Sequence, residues 1–403
     1  MRNMQQSAKL MMIAAVAGLM SGTASYAAAK PLKVFILAGQ SNMQGHANIS
    51  TFDSLADDPK TAPLLKEMRD ADGKPHVCRK VWISSVGCAG DGWSEVIEQK
   101  GKLTAGFGAS PAEIGPEFTF GIYMEKMLDE PILLIKTSWG GRSLHTDFRP
   151  PSAGPYVWGD FELARRKERG EDVEKQKAEK IKDTGVFYGH MIAHVKKVLA
   201  DIKRVAPEYD PQQGYELAGF VWFQGWNDLV STWTYPHENY DEYGRLLAMF
   251  IRDVRKDLSA PRMPFVIGVI GVSGEKAGAD IRALRQAQVA PTLLPEFKGN
   301  VVAVQTAPFW DDELDALQQR MEKFNAKMDQ EAKKDPNLSQ AARDEAYRKA
   351  LAETFTPADR KRLKGVSNGG YHYLGAAKIL APIGKAFAEA TVKLRNAQRQ
   401  EQP

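Results

Sequence analysis

The chain has 403 residues, 43% of them apolar, and a formal net charge of +4. That is enough to bury one large core or two modest ones. So small a positive excess points away from nucleic acid or a membrane surface as a partner.

Residues 1–29 read as a secretory signal peptide. Arg2 and Lys9 precede an apolar run from Leu10 to Leu19, and small residues follow through Ser25, Ala27, Ala28 and Ala29. The run is about half of what a membrane span needs, and no later stretch approaches roughly 20 uninterrupted apolar residues. The mature protein, from residue 30 onward, is therefore expected to be exported, periplasmic or secreted, with no membrane span. Loss of Arg2 and Lys9 lowers the net charge from +4 to +2.

Short continuous apolar runs follow: Val34 to Ala38, Val81 to Ile83, Ile132 to Ile135, Leu217 to Phe223, Phe265 to Val272 and Val301 to Val304. Runs of this kind suit strands buried on both faces. Between them apolar residues recur at helical spacing: Phe118, Ile122, Met124 and Leu128; Met191, Ile192, Val195, Val198 and Leu199; Leu246, Leu247, Phe250, Ile251 and Val254. A last helix is expected from about Ala376 to Leu394. Strand and helix alternation predicts an α/β fold with a mostly parallel sheet covered by helices on both sides. Two charged stretches, at about 160–184 and 311–364, interrupt the rhythm and read as solvated helical insertions within a single domain. Cys78 and Cys88 flank the strand-like Val81-Trp82-Ile83 and are either a hairpin-sized disulfide or two buried thiols.

The residues suited to chemistry stand where these strands end. Gly39-Gln40-Ser41-Asn42-Met43-Gln44-Gly45 follows the first strand, the position at which doubly wound sheets bind ligands. A serine there is presented to a cleft, although most serines after a strand only cap helices. Trp139-Gly140-Gly141-Arg142-Ser143 follows another strand, and its glycines can bring main-chain N–H groups close to a substrate oxygen. Gln224-Gly225-Trp226-Asn227-Asp228 follows a third and adds the amides of Gln224 and Asn227; Gly-Gly and Asn-Asp are also ordinary turn residues. His372, on Asn368-Gly369-Gly370-Tyr371-His372-Tyr373 before the last helix, is the base that a serine nucleophile requires. His190 and His194 have a spacing that could bind zinc, but no Glu stands between them as in a metalloprotease.

These four blocks, in this order, resemble the sialate O-acetylesterase-like branch of the SGNH hydrolase superfamily. The resemblance implies a three-layer α/β/α sandwich, no metal or other cofactor, and hydrolysis of O-acetyl esters on carbohydrates. By matching of blocks it implies Ser41 as nucleophile and oxyanion donor, Gly140 or Gly141 with Gln224 or Asn227 completing the oxyanion hole, and His372 as base. Gln40, Arg142 and Trp226 are expected at the substrate, with Trp139, Trp233, Tyr235 and Trp310 as further candidates for a sugar-stacking wall.

The chain departs from the family pattern in two places. Gly369 stands where an aspartate usually precedes the histidine, and Trp226 replaces a glutamate common in carbohydrate-active relatives. Asp228 is then the first candidate for the third catalytic member, Asp311 and Asp312 the next, and a Ser-His dyad held by a backbone carbonyl the alternative. A carbohydrate-binding protein that kept the fold without catalysis, and an esterase for acyl groups not on sugars, are the competing functions.

Overall fold

The computed structural model describes residues 30–87, 96–231, 234–235, 239–334 and 338–400. The leader at residues 1–29 lies outside them, as do Cys88 and Trp233.

Among the described residues nine strands are formed: β1 (Leu32–Gly39), β2 (Ala47–Asn48), β3 (Val81–Val86), β4 (Glu98–Lys102), β5 (Glu113–Ile114), β6 (Ile132–Ser138), β7 (Tyr215–Phe223), β8 (Phe265–Val269) and β9 (Val301–Gln305). Seven make one sheet in the order β4-β3-β6-β1-β7-β8-β9, and β2 pairs only with β5. Every expected apolar run is a strand of that sheet, and all of these pair in parallel. The eight residues of β1 and the seven of β6 are all buried, as strands covered on both faces must be.

Alternation along β7 shows the two covered faces. Phe220 and Trp222 meet Phe250 of the helix Asp241–Asp257. Phe223 meets Phe387 of the last helix, Ala377–Gln400, on the opposite side. The result is a three-layer α/β/α sandwich. The charged edge strand β4, sequence EQKGK, pairs antiparallel with β3 and carries no apolar signal from which it could be read.

Two expectations need correction. The run ending at Val272 leaves the sheet after Val269, because the Ile270 N–H donates to Gln288 Oε1 (2.9 Å) and the Gly271 N–H to Tyr373 Oη (2.7 Å) instead of a strand partner. The second insertion, helices Asp312–Lys334, Gln340–Thr354 and Pro357–Leu363, is not merely solvated: Leu317, Phe324 and Phe355 form a small core separate from the main one. The first insertion forms the helices Asp160–Glu168 and Val173–Asp183. Among the described residues no helix is long and apolar enough to cross a membrane.

Because all strands of the seven-stranded sheet but β4 run in parallel, the carboxyl ends of β1, β6 and β7 share one edge, with Gly39 in register with both Ser138 and Phe223. The chain leaves β1 toward β3 and β6 on one side and later returns to β7 on the other, so a crevice opens above β1.

Candidate active site

Ser41 opens a four-residue helix, Ser41–Gln44, immediately beyond β1. The turn into it requires Gly39: its φ is +155°, and a Cβ would lie 2.1 Å from the Phe223 carbonyl oxygen. Ser41 is 5% exposed. The helix is anchored from below by Lys136 on β6. Its Nζ donates to the carbonyls of Gln44 (2.6 Å) and Phe107 (2.6 Å) and to Glu117 Oε2 (2.7 Å), and both side chains of this ion pair are wholly buried. Burial raises the Glu117 carboxyl toward its neutral form, and Lys136 opposes that.

Gln40, entirely buried, joins the β1 and β7 loops. Its Oε1 accepts from the N–H groups of Gly225 (3.1 Å) and Asn227 (3.1 Å) and from Gln224 Nε2 (3.0 Å). Its Nε2 donates to Asn227 Oδ1 (3.1 Å) and lies 3.4 Å from Ser41 Oγ. With its oxygen occupied in this way, the Asn227 amide presents Nδ2 toward the Gly141 turn, 3.9 Å from where a Cβ of Gly141 would stand. Gly141 has φ +71°, and both Gly140 and Gly141 are exposed. Among the described residues no carbonyl accepts from the N–H of Ser41, Gly140 or Gly141.

His372 comes from the turn Gly370–Gly375, whose Tyr373 and Leu374 have φ of 54° and 61°. Tyr373 holds the turn in place through its hydroxyl, which accepts from the Gly271 N–H and lies 2.8 Å from Thr306 Oγ1. The turn abuts the Ser41 helix, with Cα atoms within 8 Å. His372 Nδ1 lies 3.0 Å from Asn368 Oδ1, which also accepts from the Gly369 N–H (2.8 Å). The main-chain donor fixes which end of the amide is oxygen, so Nδ1 carries the ring proton and Nε2 keeps its lone pair. The ring stacks on that of His46 at 3.9 Å and 9°, and His46 Nδ1 is 3.7 Å from Glu113 Oε1. Burial and this neighbouring imidazole push the His372 pKa down to about 3. Ser41 and His372 thus sit on abutting elements, but among the described residues no direct hydrogen bond joins them.

The other expected residues take the following places. Asp228 does not orient His372. Its carboxylate, fully buried and raised to about 6 by that burial, accepts from the N–H groups of Leu144 and His145, from Gln224 Nε2 and from Tyr235 Oη. Asp311 is likewise committed, to Lys378 and Arg362, and Asp312 pairs with Lys276. Gln224 is engaged as a brace: its Nε2 faces Gln40, Arg142 O and Asp228, and its Oε1 accepts from Tyr243. Gln40, through the contacts given above, supports the β1 and β7 loops. The Arg142 guanidinium lies over the Phe187 ring at 4.1 Å and beside Asp147. Trp139 and Tyr235 are buried in packing; half-buried Trp226 stands 6.0 Å from exposed Tyr371 at the rim. His194 Nε2 bonds Ser84 Oγ (2.9 Å), and His190 packs against Trp139 and Phe187, so the two do not converge on an ion.

From sequence, Asn368 is the polar residue nearest the missing aspartate but not a carboxylate, and His46 is not singled out. Asn368 is four residues from His372 in a glycine turn, a spacing that could have been read as an orienting pair had an amide been admitted in place of a carboxylate. A cavity of about 960 Å³ bordered by Asp57, Trp310, Asp311 and Lys378 is separate from this site; neither Ser41 nor His372 lines it.

The chain matches, over residues 31–314, the family model described as SASA, carbohydrate esterase, sialic acid-specific acetylesterase. That span holds Ser41, Gly140, Gly141 and Asn227 and ends before Asn368 and His372. No curated protein matches in sequence. Among solved structures, a protein from Arabidopsis thaliana is similar at 18% identity, covering 68% of this chain and 86% of that one, with a TM-score of 0.38. A carbohydrate acetylesterase from Xanthomonas citri is similar at 16% identity, covering 69% of this chain and 51% of that one, with a TM-score of 0.37. The structure of NanS is similar at 14% identity, covering 69% of this chain and 78% of that one, with a TM-score of 0.36.

Proposed function

The chain belongs to the sialic acid-specific acetylesterase family of carbohydrate esterases and is a carboxylic ester hydrolase, and on that premise we propose that Ser41 and His372 remove O-acetyl groups from sugars through an acyl-enzyme. His372 Nε2 takes the proton of Ser41 Oγ as the serine attacks the acetyl carbonyl. The oxyanion is met by the N–H groups of Ser41 and of Gly140 or Gly141, and by Asn227 Nδ2. His372 returns the proton to the departing sugar hydroxyl, and water then releases acetate by the same route. Asn368 holds the imidazole in the useful tautomer, the part a carboxylate ordinarily plays. The elements that carry Ser41 and His372 abut, and catalytic hydrogen bonds commonly tighten on substrate binding.

The observation that carries this reading is the Gln40 hub, which reaches Ser41 Oγ and fixes the Asn227 amide so that its donor faces the turn of the exposed Gly140 and Gly141. Trp226 and Tyr371 at the rim are suited to stacking on a sugar ring. The leader at residues 1–29 would deliver the enzyme to the cell exterior or periplasm, where acetylated glycans are met. The test is acetate release from O-acetylated sialic acid, acetylxylan and acetylated pectin beside an activated acetyl ester. Ser41→Ala is expected to abolish release from all; undiminished turnover in that variant would end the assignment. Glycan binding with no acetate release would mark a binding protein.

A further inference from the structure

At the opposite end of the sheet, His76, Cys78 and Glu125 place one nitrogen, one sulfur and one carboxylate oxygen all within 4.8 Å of one another. His76 and Cys78 are two apart in the extended segment leading into β3, so their side chains fall on one side while Val77, 53% exposed, points to the other. Glu125 reaches them from the last turn of the helix Pro116–Met127. We propose that these three residues form a zinc(II) site that ties the segment before β3 to that helix, independently of the esterase site.

The donor set is the soft and borderline mixture that zinc takes. With bonds of about 2.0–2.3 Å, tetrahedral ligand atoms stand roughly 3.3–3.8 Å apart. His76 Nε2 and Glu125 Oε2 are already at 3.7 Å, and a small contraction brings in the sulfur. Glu125 is oriented by a second partner, since its other oxygen accepts from the Lys80 N–H (2.7 Å). Cys78 is wholly buried, and its thiol, whose proton a metal would replace, lies within 4.8 Å of the Glu125 carboxylate and the His76 ring nitrogen. Binding would release that proton to solvent and leave a thiolate and a carboxylate to balance the ion's two charges. An adjoining cavity of about 440 Å³, bordered by Glu67, Arg79, Lys80 and Lys126 beside the ligands, gives entry and room for a water as fourth ligand. The cations there are partly engaged: Lys126 pairs with Glu67, and Lys80 Nζ donates to Leu128 O.

The test uses the full mature chain, reduced and freed of metal, titrated with zinc and with cobalt(II). One equivalent per chain is expected, with a thiolate-to-cobalt charge-transfer absorption and a higher melting temperature. Cys78→Ser should abolish the absorption, and His76→Gln should weaken zinc binding by more than roughly 100-fold, beyond what losing an outer-shell partner costs. Cys88→Ser should leave both intact, and ester hydrolysis should be unchanged in all three variants. No stoichiometric binding by the reduced chain, an absorption that survives Cys78→Ser, or one that disappears in Cys88→Ser would overturn the proposal. So would mass spectrometry showing Cys78 and Cys88 disulfide-bonded in protein isolated from the periplasm or medium.

Discussion

Replacing Asn368 by aspartate changes almost nothing in shape but puts a charge 3.0 Å from His372 Nδ1. At that distance and an effective dielectric near 20, the attraction for an imidazolium is about 5 kcal/mol before the new carboxylate's own desolvation is subtracted. Neighbouring opposite charges commonly move a pKa by roughly 1–3 units, or about 1.4–4 kcal/mol. Starting from about 3, the imidazole of Asn368→Asp should therefore titrate at roughly 4–6. If about half of the added basicity reaches the transition state, kcat rises by roughly 3- to 30-fold. The full factor of about 10⁴ is not expected, because Asn368 already enforces the tautomer that a carboxylate would. The assay is kcat and kcat/KM for a small acetyl ester from about pH 4 to 8. The native enzyme, whose base is neutral throughout, should show no acid limb near the ordinary histidine value, whereas the variant should show one moved upward. Unaltered kcat together with an unmoved acid limb would refute the pairing of Asn368 with His372.

Other outcomes follow from the same contacts. Asn227→Ala should lower kcat by about 10²–10³ with little change in KM, as loss of one oxyanion donor does, and stopped-assay kinetics on the activated ester will show it. Lys136→Met, which strands buried Glu117, should cost about 3–5 kcal/mol in urea unfolding, whereas Lys136→Met with Glu117→Leu should recover much of that. Gly39→Ala should fail to accumulate as folded protein, because its Cβ would meet the Phe223 carbonyl at 2.1 Å; recovery of soluble, active enzyme would contradict the close approach. His194 is held down to about 4 by burial, so the unfolded chain takes up its proton first as the pH falls below about 6.5. Stability should thus decline between about pH 6.5 and 4, and denaturant midpoints across that range will test it.

Much of the scaffold was legible without coordinates because its determinants are local. An apolar run long enough for a strand and covered on both faces has few alternatives, and six such runs separated by amphipathic helices dictate a parallel sandwich. The glycine-rich blocks were also readable, since they follow those strands directly. Edge strand β4 and the early end of β8 were not. The first lacks apolar residues, and the second is decided by Gln288 and Tyr373, which arrive from distant parts of the chain.

The site divides in the same way. The sequence by itself determined where Ser41, the glycine turns and the late histidine lie, because position after a strand is a property of the neighbouring residues. Tertiary structure alone decided which polar side chains are spent as braces and which still face the crevice. Gln40, Gln224, Arg142 and Asp228 look as available as Asn227 in one dimension, yet burial obliges each to satisfy its hydrogen bonds or charge within the protein. Asn368 took the orienting place because a turn of the chain, not its residue type, brought its carbonyl oxygen to the imidazole.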